Sequence, residues 1–133
     1  MNELKDIAYI FRDAVEKTKN ELSKLSNKFE TFPEYCCGIT ANLLARYYDE
    51  KGYGIFLIVT GKKSTGEEHY WLQKEKVIID ITADQFPDCK EEVIVTTDDS
   101  WYNNFICERE SHNANYRKYD KMYSVIIEYL NDK

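Results

Sequence analysis

The apolar residues of this chain change their spacing twice, and those changes limit the folds open to it. Ile7, Ile10, Phe11, Val15, Leu22, Leu25 and Phe29 recur every three or four positions, with charges between them. This spacing predicts a helix over residues 3 to about 29. Its polar middle, residues 17–20, is where such a helix would break or lie exposed. Thr31-Phe32-Pro33-Glu34 follows, a capping-box pattern with a proline suited to a first helical turn. A second helix is expected to start near residues 33–37 and to run through Ala41, Leu43, Leu44 and Tyr47 to about residue 50, where Gly52 and Gly54 end it. Beyond those glycines the apolar residues gather into short β-branched runs. Residues 55–61, 69–73, 77–81 and 92–97 read as strands, the second and third as a hairpin. Tyr119, Met122, Tyr123, Ile126, Ile127 and Leu130 return to helical spacing, although Val125-Ile126-Ile127 also fits a strand. Helices followed by a meander of strands with short turns imply an antiparallel sheet and the α+β class. The 133 residues suit a single domain spanning 1–133.

Charge and hydropathy exclude several functions. The chain carries 18 Lys and Arg against 24 Asp and Glu, a net −6, so it lacks the basic face that a sequence-independent nucleic-acid binder needs. The longest apolar run, residues 55–59, falls far short of the ~20 residues of a membrane span, so no membrane partner is expected. The opening Met-Asn-Glu-Leu-Lys-Asp does not read as a signal peptide, which makes the cytoplasm the expected location. The four cysteines, Cys36, Cys37, Cys89 and Cys107, are then expected as reduced thiols. They form no Cys-x2-Cys pair, and two adjacent cysteines make a poor pair of ligands for one tetrahedral ion, so no metal is expected.

The chain order Cys37, His69, Asp80 carries the chemistry. A free thiol has a pKa near ~8.5 and needs help to act as a nucleophile. Cys37 falls at an expected helix start, where unpaired N–H groups and a partial positive charge favour thiolate. A histidine takes the thiol proton, and a carboxylate behind it fixes its tautomer. If the hairpin turn centres on Lys74-Glu75, Leu72 faces Val77 and Tyr70 faces Ile79 on an apolar side. Trp71 then meets Ile78, and His69 meets Asp80, on the other. Opposed side chains have Cβ atoms ~5 Å apart, so this register sets the carboxylate beside the imidazole, and a slip of one residue breaks both pairings.

The stretch from Phe32 to Leu44, with Cys36-Cys37-Gly38 at its centre, resembles the nucleophile helix of papain-like and transglutaminase-like cysteine enzymes. His69-Tyr70-Trp71-Leu72 and Ile79-Asp80-Ile81-Thr82-Ala83-Asp84-Gln85-Phe86 are similar to their His and Asp strands, most of all in a bacterial branch of that superfamily. The resemblance covers residues 32–97, about half of the chain, and its second part is the more specific. It implies a papain-like/transglutaminase-like fold, with N-terminal helices packed on an antiparallel sheet and a C-terminal helix. It also implies Cys37 as nucleophile, His69 as base, Asp80 as orienting acid, and a thioester step on an amide of a protein or peptide. No cofactor is required. Peptidase, amidase or deamidase, and transglutaminase activities differ only in leaving group and acceptor. One departure stands out. Papain-type enzymes hold the oxyanion with a glutamine shortly before the nucleophile, and residues 31–36 contain no amide side chain. Backbone N–H groups near Cys37, or Gln85, are left to do so.

Each residue also has a plainer reading. Cys36 is the alternative nucleophile; Gly38 directly after Cys37 matches the family pattern and favours Cys37. A thiol packed in the core is the outcome without chemistry. His69 and Asp80 can form a structural pair only. Asp84 rivals Asp80 but sits in the following turn, which it can cap. Trp71 shares the His69 face, either as packing or as a wall of the substrate cleft. His112 reads as a loop residue, and the acids Glu67 and Glu68 as solvated neighbours of the site. Besides a cysteine hydrolase or acyl transferase, two further functions fit: a non-catalytic protein-binding module on the same fold, and a redox-sensing thiol at Cys36-Cys37.

Overall fold

The computed structural model describes residues 2–111 and 118–132. Within them the chain is α+β, with four α-helices and one five-stranded antiparallel sheet. The helices are α1 (Asn2–Lys17), α2 (Lys19–Leu25), α3 (Cys37–Glu50) and α4 (Asp120–Asn131). The strands are β1 (Leu57–Lys62), β2 (Glu68–Lys74), β3 (Val77–Asp80), β4 (Ile94–Thr96) and β5 (Ile106–Ser111), in the sheet order β4-β3-β2-β1-β5.

The long first helix expected from the periodicity is divided at Thr18. The Thr18 hydroxyl donates back to the carbonyl of Ala14 at 2.7 Å, a back-bond that bends helices. The backbone bonds Thr18 N to Ala14 O and Leu22 N to Thr18 O carry the chain across the bend. A 3-10 turn, Asn27–Thr31, completes the segment. The expected capping box does not form. Thr31 ends that turn and its hydroxyl donates to the Glu34 carbonyl at 3.4 Å. Tyr35, at φ 68°, instead reverses the chain ahead of α3. The C-terminal segment is helix, not strand.

Helices α1 and α3 bury Phe11, Val15, Leu43, Leu44 and Tyr48 together with Ile58, Leu72 and Ile79 from one sheet face. The alternating residues of the same strands, Val59, Trp71 and Ile78, form a second cluster with Phe86, Tyr102 and Phe105 on the other face. Both sheet faces are thus apolar, as the short β-branched runs require.

Two features of the sheet depart from the sequence reading. The β2–β3 turn centres on Glu75-Lys76, not Lys74-Glu75, so Leu72 pairs with Ile79, Gln73 with Ile78 and Lys74 with Val77. Glu75 supplies the left-handed conformation of this two-residue turn, at φ 55°. A shift of two residues keeps every side chain on its expected face, because the strand period is two. His69 and Asp80 become diagonal rather than opposed neighbours. The second departure is β5, a strand that the sequence reading does not include. It is an edge strand, paired with β1 through an irregularity between Thr60 and Gly61. Gly61 is required there, since a Cβ would lie 2.7 Å from Phe105 Cβ and 2.8 Å from Trp71 Cη2. His112 lies outside the described residues.

Candidate active site

Cys37 is the first residue of α3 and lines an open cleft of about 570 Å³. The first bond of the helix runs from Thr40 N to Cys36 O at 2.9 Å, and the Cys36 side chain makes no cap. The N–H groups of the first turn therefore precede the helical ladder and face the thiol end of the helix. Cys36 points the other way. It is 1% exposed, and burial pushes its thiol up to about 12, which keeps it neutral and inert.

His69, at the start of β2, is fully buried. Its Nε2 lies 2.7 Å from Asp80 Oδ2 at the end of β3. The Tyr102 hydroxyl donates to the same Oδ2 at 2.7 Å. The other carboxylate oxygen accepts the Thr82 backbone N–H at 3.0 Å and its hydroxyl at 3.4 Å. Burial opposes ionisation of Asp80, but the charge and hydrogen bond of His69, with those of Thr82 and Tyr102, hold its carboxyl below the usual range. Burial likewise opposes protonation of His69. The charge and hydrogen bond of Asp80 outweigh it and raise the imidazole, and a hydrogen bond with the Cys37 thiol adds to the effect. Because Nε2 faces Asp80, the nitrogen left for the thiol is Nδ1. Burial and the adjacent carboxylate together raise the Tyr102 phenol far out of its titrating range, so it remains a donor.

An aromatic wall seals the pair from water. Trp71, Phe86, Trp101 and Phe105 place their ring centroids 5.1–6.0 Å from that of His69. Lys63 lays its ammonium 4.7 Å above the Phe86 ring from outside. With water excluded, each polar contact inside gains strength.

The structure thus brings Cys37, His69 and Asp80 together, on α3, β2 and β3. Gln85 joins them in the turn after β3. Its Nε2 donates to the Thr82 carbonyl at 3.0 Å and lies 3.2 Å from His69 Nδ1. Trp71 is not brought into the cleft. It is 5% exposed and packs at 4.9 Å from Tyr102 and 5.6 Å from Phe105, behind His69, and the cleft lining does not include it. Glu67 and Glu68 do line the cleft, opposite Lys28 and Lys118 in charge. Asp84 is turned away from His69. It receives both terminal nitrogens of Arg12, at 2.8 and 2.9 Å, and Arg12 also donates to the carbonyls of Ile81 and Glu92. This buried guanidinium on α1 ties down the turn that carries Thr82 and Gln85.

The sequence reading missed Tyr102, Thr82, Arg12 and most of the aromatic wall. Tyr102 is one of eleven tyrosines and nothing local distinguishes it. Arg12 follows Phe11 on the helix face that turns inward, which was a usable sign of a buried cation needing a partner. Among the described residues, no group of three or more His, Cys, Asp or Glu is arranged to hold a metal ion. Among the same residues, no helix is long and apolar enough to cross a membrane. No family model, curated protein or solved structure matches this chain.

Proposed function

We propose that this protein is a cysteine hydrolase or acyl transferase of papain-like/transglutaminase-like type that acts on amide bonds of a protein or peptide. One observation carries the reading: a cleft-lining thiol at an uncapped helix start, backed by a buried imidazole whose far nitrogen is 2.7 Å from a carboxylate. Cys37 Sγ attacks the carbonyl carbon while its proton passes to His69 Nδ1. The first-turn N–H groups of α3 stabilise the oxyanion. The C–N bond breaks as the Nδ1 proton moves to the leaving amine, giving a thioester on Cys37. Water or a second amine, deprotonated by His69, attacks the thioester and returns the thiol. Asp80 holds the Nε2–H tautomer throughout. No part of this sequence calls for a metal or an organic cofactor.

The test is acylation by p-nitrophenyl acetate, with the modified residue located by mass spectrometry. The reading expects a burst, an acetyl group on Cys37, and turnover that falls at least tenfold in His69→Ala. Absence of acetyl-Cys37, or a rate indifferent to His69, refutes it. A non-catalytic binding module on the same fold is the second reading. The observation in its favour is Gln85, whose two amide hydrogens are directed at Thr82 O and His69 Nδ1 and so leave none for an oxyanion.

A further inference from the structure

The Thr82 carbonyl can only accept, so the Gln85 atom 3.0 Å from it is the amide nitrogen, and this fixes which way the amide points. The same nitrogen lies 3.2 Å from His69 Nδ1. A primary amide nitrogen carries two hydrogens and accepts none, so Nδ1 must present its lone pair. On the other side of the ring, Asp80 Oδ2 takes the Nε2–H. In its neutral form the ring is therefore held as the Nε2–H tautomer, with Gln85 directed at Nδ1, the nitrogen left for the Cys37 thiol.

We infer that Gln85 is a positioning residue that competes with Cys37 for His69 Nδ1 and thereby opposes formation of the imidazolium–thiolate pair. The inference rests on the catalytic reading of Cys37 and His69. A proton arriving at Nδ1 turns that nitrogen into a donor facing a donor, and the contact breaks. Gln85 must then rotate its amide or swing toward the cleft that it lines. Asp80 acts in the opposite sense, because its charge favours a proton on the ring. The base is thus set by two neighbours, one on each nitrogen. Arg12 enters through the same turn, since its bonds to Ile81 O and Asp84 hold the backbone on either side of Thr82.

The experiment is long-range proton–nitrogen NMR of the full chain between pH 5 and 10. Only two histidines occur, so a His112→Asn variant assigns the spectrum. Wild type is expected to show His69 as the Nε2–H tautomer in its neutral form. Gln85→Met keeps the length and removes the donor. In that variant His69 is expected to hold its second proton to a pH about 0.5 to 1 higher, the worth of one hydrogen bond. The ratio of Cys37 alkylation at pH 6 to that at pH 8 rises about threefold to tenfold over the same interval. An Nδ1–H tautomer in wild type, or a ring that stays doubly protonated to pH 10, overturns the inference even if the variant does not fold. So does a titration that is unchanged or moves down in Gln85→Met. The tautomer is read from the ring itself, so its failure is distinct from failure of the catalytic reading, which the acetylation of Cys37 decides.

Discussion

Replacing Arg12 by methionine tests how the helical layer supports the site. The Arg12 side chain is 6% exposed and its partner Asp84 16%. The guanidinium makes two bonds to that carboxylate, two to backbone carbonyls and one to Glu16 at 2.7 Å. Removing one partner of a buried ion pair costs ~3–5 kcal/mol, because the other charge is left without compensation. Asp84 keeps some access to water, and Glu16 is largely solvated, so the lower end, about 3 kcal/mol, is expected. For a domain of this size that corresponds to roughly 10 °C in Tm. Urea unfolding followed by circular dichroism measures it. The double variant Arg12→Met/Asp84→Asn should recover about 1–2 kcal/mol, since the stranded charge is gone. A loss below about 1 kcal/mol in Arg12→Met, or strict additivity in the double variant, refutes the claim that this pair anchors the turn after β3.

Two further predictions concern Asp80. Tyr102→Phe deletes the phenol hydrogen bond to a buried carboxylate and is expected to cost about 1.5–3 kcal/mol in urea unfolding; a loss under 0.5 kcal/mol would contradict the 2.7 Å bond. Asp80→Asn should destabilise most near pH 5–6. Asp80 is lowered, so its contribution is present above its unfolded value of ~3.9 and lost as pH falls through the depressed folded value. His69 is raised, so its contribution is present below ~6.5 and lost as pH rises through the raised folded value. The stability gap between wild type and Asp80→Asn is therefore expected to narrow below pH 4 and again as pH rises from about 6.5 to about 9; a gap independent of pH contradicts the pairing.

Periodicity read the helical layer well because α1 and α4 each bury one stripe, which is what periodicity measures, while α3 is buried over most of its circumference. The polar stretch 17–20 marked where the first helix divides, though not the Thr18 hydroxyl bond to Ala14 that accompanies the bend. The hairpin was legible in parity but not in register. Either turn puts His69 and Asp80 on one face, and only the left-handed backbone at Glu75 selects between them. Strand β5 was illegible because an edge strand needs no apolar alternation. Its residues Glu108 and Glu110 look like a solvated loop, and its pairing partner lies almost fifty positions earlier. Cys37, His69 and Asp80 were legible as a set because thiol, imidazole and carboxylate chemistry restricts the choice. Tyr102 and Arg12 were not, since their partners are 22 and 72 positions away in the chain.

The central claim is that Cys37 is activated by His69, and the pH profile of iodoacetamide alkylation tests it most directly. The rate at Cys37, located by mass spectrometry, is measured from pH 5 to 9 in wild type and His69→Ala. The account predicts rapid modification of Cys37 with little at Cys36, and a drop of about tenfold or more below pH 7 when His69 is removed. Equal rates in the two proteins, or modification of Cys36 in preference to Cys37, would contradict it.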